Sequence, residues 1–215
     1  MDKKQMAACI DHTLLKATAT PDEIKKLCQE GNEYQFASVC VNSCNVPLCV
    51  SLCEIPVASV VGFPLGAMST AAKVAETTQA VADGAAEIDM VINIGWAKAG
   101  LWPQVEDDIR QVVKAASGHT VKVIIETALL SDDEKRQACQ AAMRAGANYV
   151  KTSTGFSTAG ATEADVQLMR AVVGDQLGVK ASGGIRDLDG ALRMIRAGAN
   201  RLGASAGIQI VGAMH

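Results

Sequence analysis

Short apolar runs recur along the chain, and longer segments with the features of helices separate them. Several runs, such as Val-Ile-Ile at 123–125, are apolar at successive positions rather than at every second position. Continuous apolar runs are typical of strands in a parallel sheet that helices cover on both faces. The pattern predicts eight strands. They span residues 9–14, 37–41, 58–63, 87–92, 121–126, 149–153, 178–182 and 201–204.

The segments between these strands begin and end with residues typical of helix termini. Thr20 precedes Pro21 and, at the third helical position, Glu23, which predicts a helix N-terminus with a reciprocal side-chain cap. Similar helix starts are predicted at Ser131 and Thr162. Just before three of the strands, a glycine can adopt the left-handed conformation that ends a helix. These glycines are Gly84, Gly146 and Gly198.

Eight strand–helix units fill the 215 residues, and no Pro- or Ser-rich linker divides them. The predicted fold is therefore of the α/β class, a single domain over residues 1–215 built as a closed (β/α)8 TIM barrel. A doubly wound open sheet is the alternative. However, no predicted strand is followed by the Gly-x-Gly-x-x-Gly sequence of dinucleotide-binding sheets.

The composition narrows the classes of partner. The chain has 49% hydrophobic residues, a net charge of −3 and 3% aromatic residues, so it can bury a core but offers no basic surface or stacking platform for nucleic acid. It has no run of about 18 apolar residues and no signal-peptide apolar stretch, so no membrane partner is expected. We expect the seven cysteines to be free thiols in a cytoplasmic protein.

Three lysines, Lys122, Lys151 and Lys180, lie within predicted apolar strands. Lysine is rare there because removing its ammonium group from water is costly. Lys151 could be a surface residue of an edge strand, but a closed barrel has no edge, so its side chain must enter the lumen or the helix layer. In the lumen, desolvation would lower its pKa and make it an amine nucleophile.

Lys180 occupies the equivalent position on the next strand. Neighbouring strands lie about 4.8 Å apart, so two lysines in the lumen would repel each other and lower one pKa further. Asp89, in an apolar strand of its own, could pair with one lysine and transfer protons. Alternatively, Asp89 is only a charge partner.

Two glycine-rich turns follow the last two strands, Ser-Gly-Gly-Ile-Arg at 182–186 and Gly-Ala-Ser-Ala-Gly at 203–207. Their backbone amides, with Arg186 and a short helix expected to start near Ala206, indicate a phosphate site, since barrels often bind phosphate after strands seven and eight. Glycine also occurs in tight loops that bind nothing.

Other kinds of site fit the sequence less well. The cysteines at 40, 44, 49 and 53 match none of the common C-x2-C metal patterns, and buried thiols are the simpler interpretation. The three histidines, His12, His119 and His215, are too few and too scattered for a metal site or a Ser-His hydrolase.

Seven motifs together resemble the 2-deoxy-D-ribose-5-phosphate aldolase family, across about residues 10–208. They are IDHTLL at 10–15, VVGFP at 60–64, EIDMV at 87–91, VIIET at 123–127, VKTSTGF at 150–156, VKASGGIR at 179–186 and LGAS at 202–205. The resemblance implies a class I aldolase on a (β/α)8 barrel that cleaves 2-deoxy-D-ribose 5-phosphate to D-glyceraldehyde 3-phosphate and acetaldehyde, in deoxyribonucleoside catabolism. It implies neither metal nor cofactor, because an amine acts as the electron sink.

The resemblance also implies roles for individual residues. Lys151 would form the Schiff base, Lys180 would lower its pKa, and Asp89 would transfer protons through water. The remaining positions would bind the phosphorylated sugar. Those near its hydroxyl groups and in the lumen are Asp11, Thr13, Cys40, Lys122 and Thr154, and those near its phosphate are Gly155, Gly183, Gly184, Arg186, Gly203 and Ser205.

Two positions depart from some members of the family. Those members carry a C-terminal tyrosine that contributes to proton transfer, whereas this sequence ends Val-Gly-Ala-Met-His, which leaves protonation of the enamine to Asp89, Lys180 and water or to another residue. Phe156 stands where some members have a basic residue, which removes one cation from the phosphate site.

Three other functions remain open at this point. They are a different Schiff-base barrel, such as a transaldolase-like or keto-acid aldolase, a sugar-phosphate-binding protein without turnover, and a phosphosugar isomerase with a carboxylate base. The sequence does not set the oligomeric state, and a homodimer or a higher homo-oligomer is compatible with it.

Overall fold

Eight parallel strands close into a barrel in the computed structural model, which describes residues 1–214. Each strand pairs with its neighbours in sequence, and β8 closes the barrel on β1 with Gly203 opposite Asp11. The closure excludes the doubly wound open sheet. The strands are β1 (Ile10–Thr13), β2 (Ser38–Val41), β3 (Val57–Val61), β4 (Glu87–Val91), β5 (Thr120–Ile124), β6 (Tyr149–Lys151), β7 (Gly178–Ser182) and β8 (Arg201–Ala204).

Ten helices accompany the strands within residues 1–214, in addition to two short 3₁₀ turns at Ser43–Asn45 and Thr127–Leu129. Among the described residues, no helix is both long and apolar enough to cross a membrane. The helices are α1 (Lys3–Ala7), α2 (Pro21–Tyr34), α3 (Val46–Val50), α4 (Thr70–Ala82), α5 (Ile94–Lys98), α6 (Trp102–Ala115), α7 (Asp132–Arg144), α8 (Glu163–Val173), α9 (Leu188–Arg196) and α10 (Gly207–Gly212).

The structure confirms the (β/α)8 barrel and the predicted helix starts. Thr20 and Ser131 cap α2 and α7 with the reciprocal bonds expected, and Thr162 caps α8. The helix-ending glycines all have positive φ. His215, the last residue of the sequence, lies outside the described residues.

Five predicted strands end earlier than expected at their carboxyl ends. Three of them end two residues early, and the first of these, predicted at 58–63, stops at Val61. The strand at 121–126 stops at Ile124, because Glu126 adopts a left-handed conformation with φ of 56°. The strand at 149–153 stops at Lys151, and the Thr152 hydroxyl donates instead to the Ser182 carbonyl oxygen at 3.1 Å. All of these differences lie at the end of the barrel where the candidate site is found.

The core has two parts, because successive side chains of each strand point alternately toward the helices and into the lumen. One face of each strand packs against the helices through a continuous apolar cluster that includes Val123, Val150 and Val179. The opposite face fills the lumen, where most of the buried charged groups lie. A small apolar cluster shares the lumen face with Asp89, since Val60 is paired with Asp89 across β3 and β4. Its members are Leu15, Cys40, Ala58 and Val60.

Candidate active site

A cavity of about 280 Å³ opens at the carboxyl ends of β1, β6, β7 and β8. This is the end of a (β/α)8 barrel at which ligand sites occur, because its loops are free to vary. The cavity is lined by Thr13, Leu14, Leu15, Lys16, Lys151, Thr154, Gly155, Phe156, Ser182, Gly183, Gly184, Ile185, Arg186, Gly203, Ala204 and Ser205.

Lys151 is the buried cation that reaches the cavity. It is 2% exposed and lies opposite Lys180 in the pairing of β6 with β7, as the sequence predicts. Its Nζ donates a hydrogen bond to Oδ2 of Asp89 at 2.7 Å. The amine therefore meets the cavity at one side and a carboxylate at the other.

Asp89 is the centre of a buried charge cluster. Its Oδ2 accepts from Lys151 and Lys180 at 2.7 Å each, and its Oδ1 accepts from Lys122 at 2.8 Å. Lys122 also contacts Asp11 at 3.2 Å and Glu87 at 2.5 Å, and Lys180 also pairs with Asp11. Lys151 thus has one carboxylate partner, whereas the other two lysines have at least two.

This difference in partners separates the pKa values of the three lysines. Burial lowers the pKa of Lys151, the nearby charge of Lys180 lowers it further, and Asp89 offsets only part of the effect. Burial also opposes the charged forms of Lys180 and Lys122, but Asp11 and Asp89 outweigh it and raise the pKa of both. Near neutral pH, Lys151 is the lysine of the cluster most readily deprotonated.

A second layer of ion pairs lies below these lysines. Arg201 on β8 donates to Asp11 Oδ1 at 2.5 Å and to both Glu87 oxygens at 3.0 and 2.8 Å. Asp11 is fully buried, and despite the cost of burial the charges of Lys122, Lys180 and Arg201 hold its pKa below the usual range. Each member has a second partner in the cluster, so removing one would leave its neighbours with fewer compensating charges in the lumen.

Three residues predicted to bind substrate do not line the cavity. Asp11 and Lys122 belong to the charge cluster, where they hold Lys180 and Asp89. Cys40 is buried beside Leu15 in the lumen cluster, and burial, with the charge of Asp89, raises the pKa of its thiol. Thr13 does line the cavity, but its hydroxyl donates to the Asp11 carbonyl oxygen at 2.8 Å.

The predicted phosphate residues all line the same cavity, together with Thr154. Several of their backbone N–H groups have no acceptor within residues 1–214, namely those of Gly155, Gly184 and Ser205. Such groups, with the guanidinium of Arg186, make the outer part of the cavity suited to an anion.

Gly203 makes room for the charge cluster. A Cβ at this position would lie 2.9 Å from the Cβ of Ser182 and 3.1 Å from the Cε of Lys180. A larger residue would therefore force Ser182 to shift and press against the Lys180 side chain, which gives Gly203 a packing role in addition to its place in the cavity wall.

The sequence pointed to no role for several residues that the structure places at the site. Lys16 lines the cavity from the loop after β1, and Phe63 packs edge-on against the cavity residue Phe156, with ring centroids 5.3 Å apart. The position of Lys16 directly after the apolar residues 14–15 was the available signal. Glu126 lies just after β5 and Arg201 begins β8. Their partners are distant in sequence, so no local pattern indicated their contacts.

The structure shows no metal-binding group of three or more His, Cys, Asp or Glu side chains in the part of the chain that it describes. The carboxylates of the lumen are already paired with lysines and Arg201. The cysteines of residues 1–214 are all free thiols.

The fold and the cavity define a (β/α)8-barrel protein with a desolvated lysine at its ligand site. A model of the DeoC/LacD family of aldolases matches residues 5–212, so the chain belongs to this family.

Several known proteins that are similar to this chain are named deoxyribose-phosphate aldolase. The deoxyribose-phosphate aldolase of Coprothermobacter proteolyticus is 59% identical over 205 residues, covering 94% of each chain. Deoxyribose-phosphate aldolase 1 of Bacillus licheniformis is 58% identical over 212 residues, covering 97% of this chain and 95% of its own. A deoxyribose phosphate aldolase from Aeropyrum pernix, described as a unique tetramer, superposes with a TM-score of 0.92 at 31% identity, covering 99% of this chain and 92% of its own.

Proposed function

We propose that this chain is a class I aldolase that reversibly cleaves 2-deoxy-D-ribose 5-phosphate to D-glyceraldehyde 3-phosphate and acetaldehyde through a Schiff base on Lys151. The observation that carries the proposal is the placement of Lys151, a buried amine of lowered pKa between Asp89 and the cavity. The names of the relatives, at more than half identity over nearly the full chain, support the choice of substrate.

The first step is addition of the neutral Lys151 amine to the C1 aldehyde of the open-chain sugar. Nζ forms a bond to C1, the aldehyde oxygen takes up protons and leaves as water, and an iminium ion remains. Lys180 stays protonated beside Lys151, so its charge favours the neutral amine before the attack. Asp89 accepts a hydrogen bond from Nζ and orients the amine.

The products have two and three carbons, so the bond that breaks is C2–C3. A base takes the proton of the C3 hydroxyl, the C2–C3 electron pair moves toward the iminium, and glyceraldehyde 3-phosphate leaves an enamine on Lys151. Protonation at C2 and hydrolysis then release acetaldehyde and restore the amine. Asp89 and Lys180, joined by a 2.7 Å hydrogen bond, supply the route by which these protons move.

The outer part of the cavity would bind the phosphate group of the sugar. The unpaired N–H groups of Gly155, Gly184 and Ser205 supply donors, and Arg186 and Lys16 supply positive charge. Lys16, in the loop after β1, thereby provides a cation, whereas Phe156, in the loop after β6, provides none.

We expect substitution of Ser205 by aspartate to impair the phosphorylated substrate selectively. A carboxylate beside the phosphate repels it, so kcat/KM for 2-deoxyribose 5-phosphate should fall about 100-fold, and that for 2-deoxyribose by less than about threefold. Steady-state kinetics on both sugars measure the difference. Ser205→Asn is the uncharged control, and equal losses on both sugars would argue against a phosphate at this position.

We expect Lys180→Met to move the acid limb of the activity profile to higher pH. Without the charge of Lys180, the pKa of Lys151 rises, and less of the amine is neutral at a given pH. At pH 7, kcat/KM should fall at least about tenfold, and the apparent pKa of the acid limb should rise by at least about one unit. Lys122→Met is the matched control, since Lys122 contacts the other oxygen of Asp89, and its shift should be smaller. An unchanged profile in Lys180→Met would contradict the coupling.

The direct test of the reaction is incubation of the purified protein with 2-deoxyribose 5-phosphate and enzymatic determination of both products. Acetaldehyde and glyceraldehyde 3-phosphate should form in equal amounts. Turnover of a keto substrate alone would contradict the proposal and indicate a keto-acid aldolase. Conversion of the sugar to an isomer without carbon–carbon cleavage would contradict it and indicate a phosphosugar isomerase.

The proposal includes a homo-oligomer in the cytoplasm. The relative described as a tetramer supports the assembly, and the free thiols of residues 1–214 support a reducing compartment. Light scattering on the eluted protein measures its mass, and a monomer at micromolar concentration would refute the assembly.

A further inference from the structure

The backbone turns sharply at Glu126, directly after β5. Ile125 N–H donates to the Lys151 carbonyl oxygen at 3.0 Å, and Thr127 N–H donates to the Thr152 carbonyl oxygen at 2.9 Å. Between them, Glu126 has φ of 56° and ψ of 68°, in the left-handed region. This conformation costs a residue other than glycine about 1 kcal/mol or more, so the contacts of the Glu126 side chain must offset a strained backbone.

The Glu126 carboxylate is buried and bonds only to the loop that follows Lys151. The residue is 2% exposed, and its Oε2 accepts from the Thr154 N–H at 3.1 Å and from the Thr154 hydroxyl at 2.5 Å. Its Oε1 is buried without a partner among residues 1–214, and no lysine or arginine of this part pairs with it. A buried carboxylate without a cation is costly, which separates Glu126 from the paired carboxylates of the lumen.

Thr154 connects Glu126 to the next residues of the cavity wall. Its hydroxyl hydrogen is donated to Glu126, and its oxygen accepts the N–H of Phe156 at 3.1 Å. The two bonds fix the hydroxyl, so the segment Thr154-Gly155-Phe156 is held at both ends. Thr154 therefore has no hydrogen left to donate to a substrate, although the sequence suggested it as a substrate contact.

Gly155 lies between these two bonded residues. It has φ of 84°, lines the cavity, and its N–H has no acceptor within the described chain. The direction of this N–H is set by the peptide planes on either side, which Thr154 and Phe156 fix. A free N–H in a held segment is prearranged for an anion.

We propose that Glu126 is a positioning residue that holds the segment Thr154-Gly155-Phe156 so that the Gly155 N–H faces the phosphate of the substrate. The inference rests on the proposed function for the identity of the anion. Glu126 touches no reacting atom, so its effect falls on binding of the phosphate rather than on the chemistry at Lys151.

The experiment compares Glu126→Ala and Glu126→Gln with wild type on 2-deoxyribose 5-phosphate and on 2-deoxyribose. In Glu126→Ala, KM for the phosphorylated sugar should rise about tenfold, with kcat and the rate on 2-deoxyribose within about threefold. Glutamine keeps an acceptor oxygen, so Glu126→Gln should restore KM to within about threefold of wild type. A fall of kcat in both variants and on both sugars would overturn the proposal and place Glu126 in proton transfer or in the general fold.

Thr154→Val and Thr154→Ser provide the matched pair at the other end of the contact. Valine removes the hydroxyl at nearly equal volume and should raise KM as Glu126→Ala does, while serine should not. The double variant Glu126→Ala/Thr154→Val should be no worse than Glu126→Ala, because both remove one interaction. Additive losses would overturn the proposal. If Glu126→Ala does not fold, the comparison of Thr154→Val with Thr154→Ser tests the same contact.

A binding measurement separates this inference from the proposed function. Inorganic phosphate is titrated into wild type and Glu126→Ala by calorimetry, with no turnover required. If wild type binds phosphate but does not cleave the sugar, the function fails, while a Kd about tenfold weaker in Glu126→Ala still supports the role of Glu126. Equal phosphate affinity in the two proteins overturns the inference whatever the activity.

Discussion

We expect Lys151→Ala to lower the rate of 2-deoxyribose 5-phosphate cleavage by about 10⁴-fold or more. Without the amine no iminium forms, and the C2–C3 electron pair has no sink. No other lysine replaces it, because Lys122 and Lys180 keep raised pKa values between two or more carboxylates. The rate is measured by product formation at protein concentrations high enough to detect residual turnover.

The fold of the variant provides the control for this prediction. Asp89 retains its bonds to Lys122 and Lys180 when Lys151 is removed, so no buried charge is left unpaired. Lys151→Met, which refills the volume of the side chain, should melt within a few degrees of wild type and show the same loss of activity. Turnover within about 100-fold of wild type in either variant would mean that Lys151 is not the Schiff-base residue.

Asp89→Asn separates formation of the iminium from the later proton transfers. Asp89 raises the pKa of Lys151, so its loss leaves the amine more readily neutral and still able to add to the aldehyde. Cleavage should nevertheless slow by about 10³-fold, because the carboxylate that links Lys151 to Lys180 no longer carries protons. Stopped borohydride reduction measures the first step, and product formation measures the second.

The same substitution should destabilise the barrel, since Lys122 and Lys180 lose a shared carboxylate in the lumen. Asp108→Asn is the matched control. Asp108 is fully buried and pairs with Lys73 at 2.5 Å, away from the cavity, so its loss should lower the melting temperature without slowing cleavage by the folded protein. If both variants lose activity alike, the effect of Asp89 is on stability and not on proton transfer.

The sequence predicted the features that depend on neighbouring residues. Strands, caps and helix-ending glycines are local, and all eight strands were found, five of them ending one or two residues early, together with the caps at Thr20 and Ser131. The pairing of Lys151 with Lys180 also followed, because both lysines occupy the same place in consecutive parallel strands.

The features that the sequence did not predict depend on strands that meet only across the lumen. The hydrogen bonds of Arg201 to Asp11 and Glu87 join β8 to β1 and β4, and no local sequence pattern predicts them. The left-handed conformation of Glu126 is another case, since a glutamate is not expected there, and its stabilising partner Thr154 lies 28 residues later. The roles of individual site residues remain predictions that kinetics must test.

Schiff-base chemistry at Lys151 is tested most directly by borohydride reduction in the presence of 2-deoxyribose 5-phosphate, followed by peptide mass spectrometry. We predict one reduced adduct, on the peptide that contains Lys151, and inactivation in proportion to its formation. An adduct on Lys180 would exchange the roles of the two lysines. No adduct, in folded protein that binds the sugar, would contradict Schiff-base chemistry at this site.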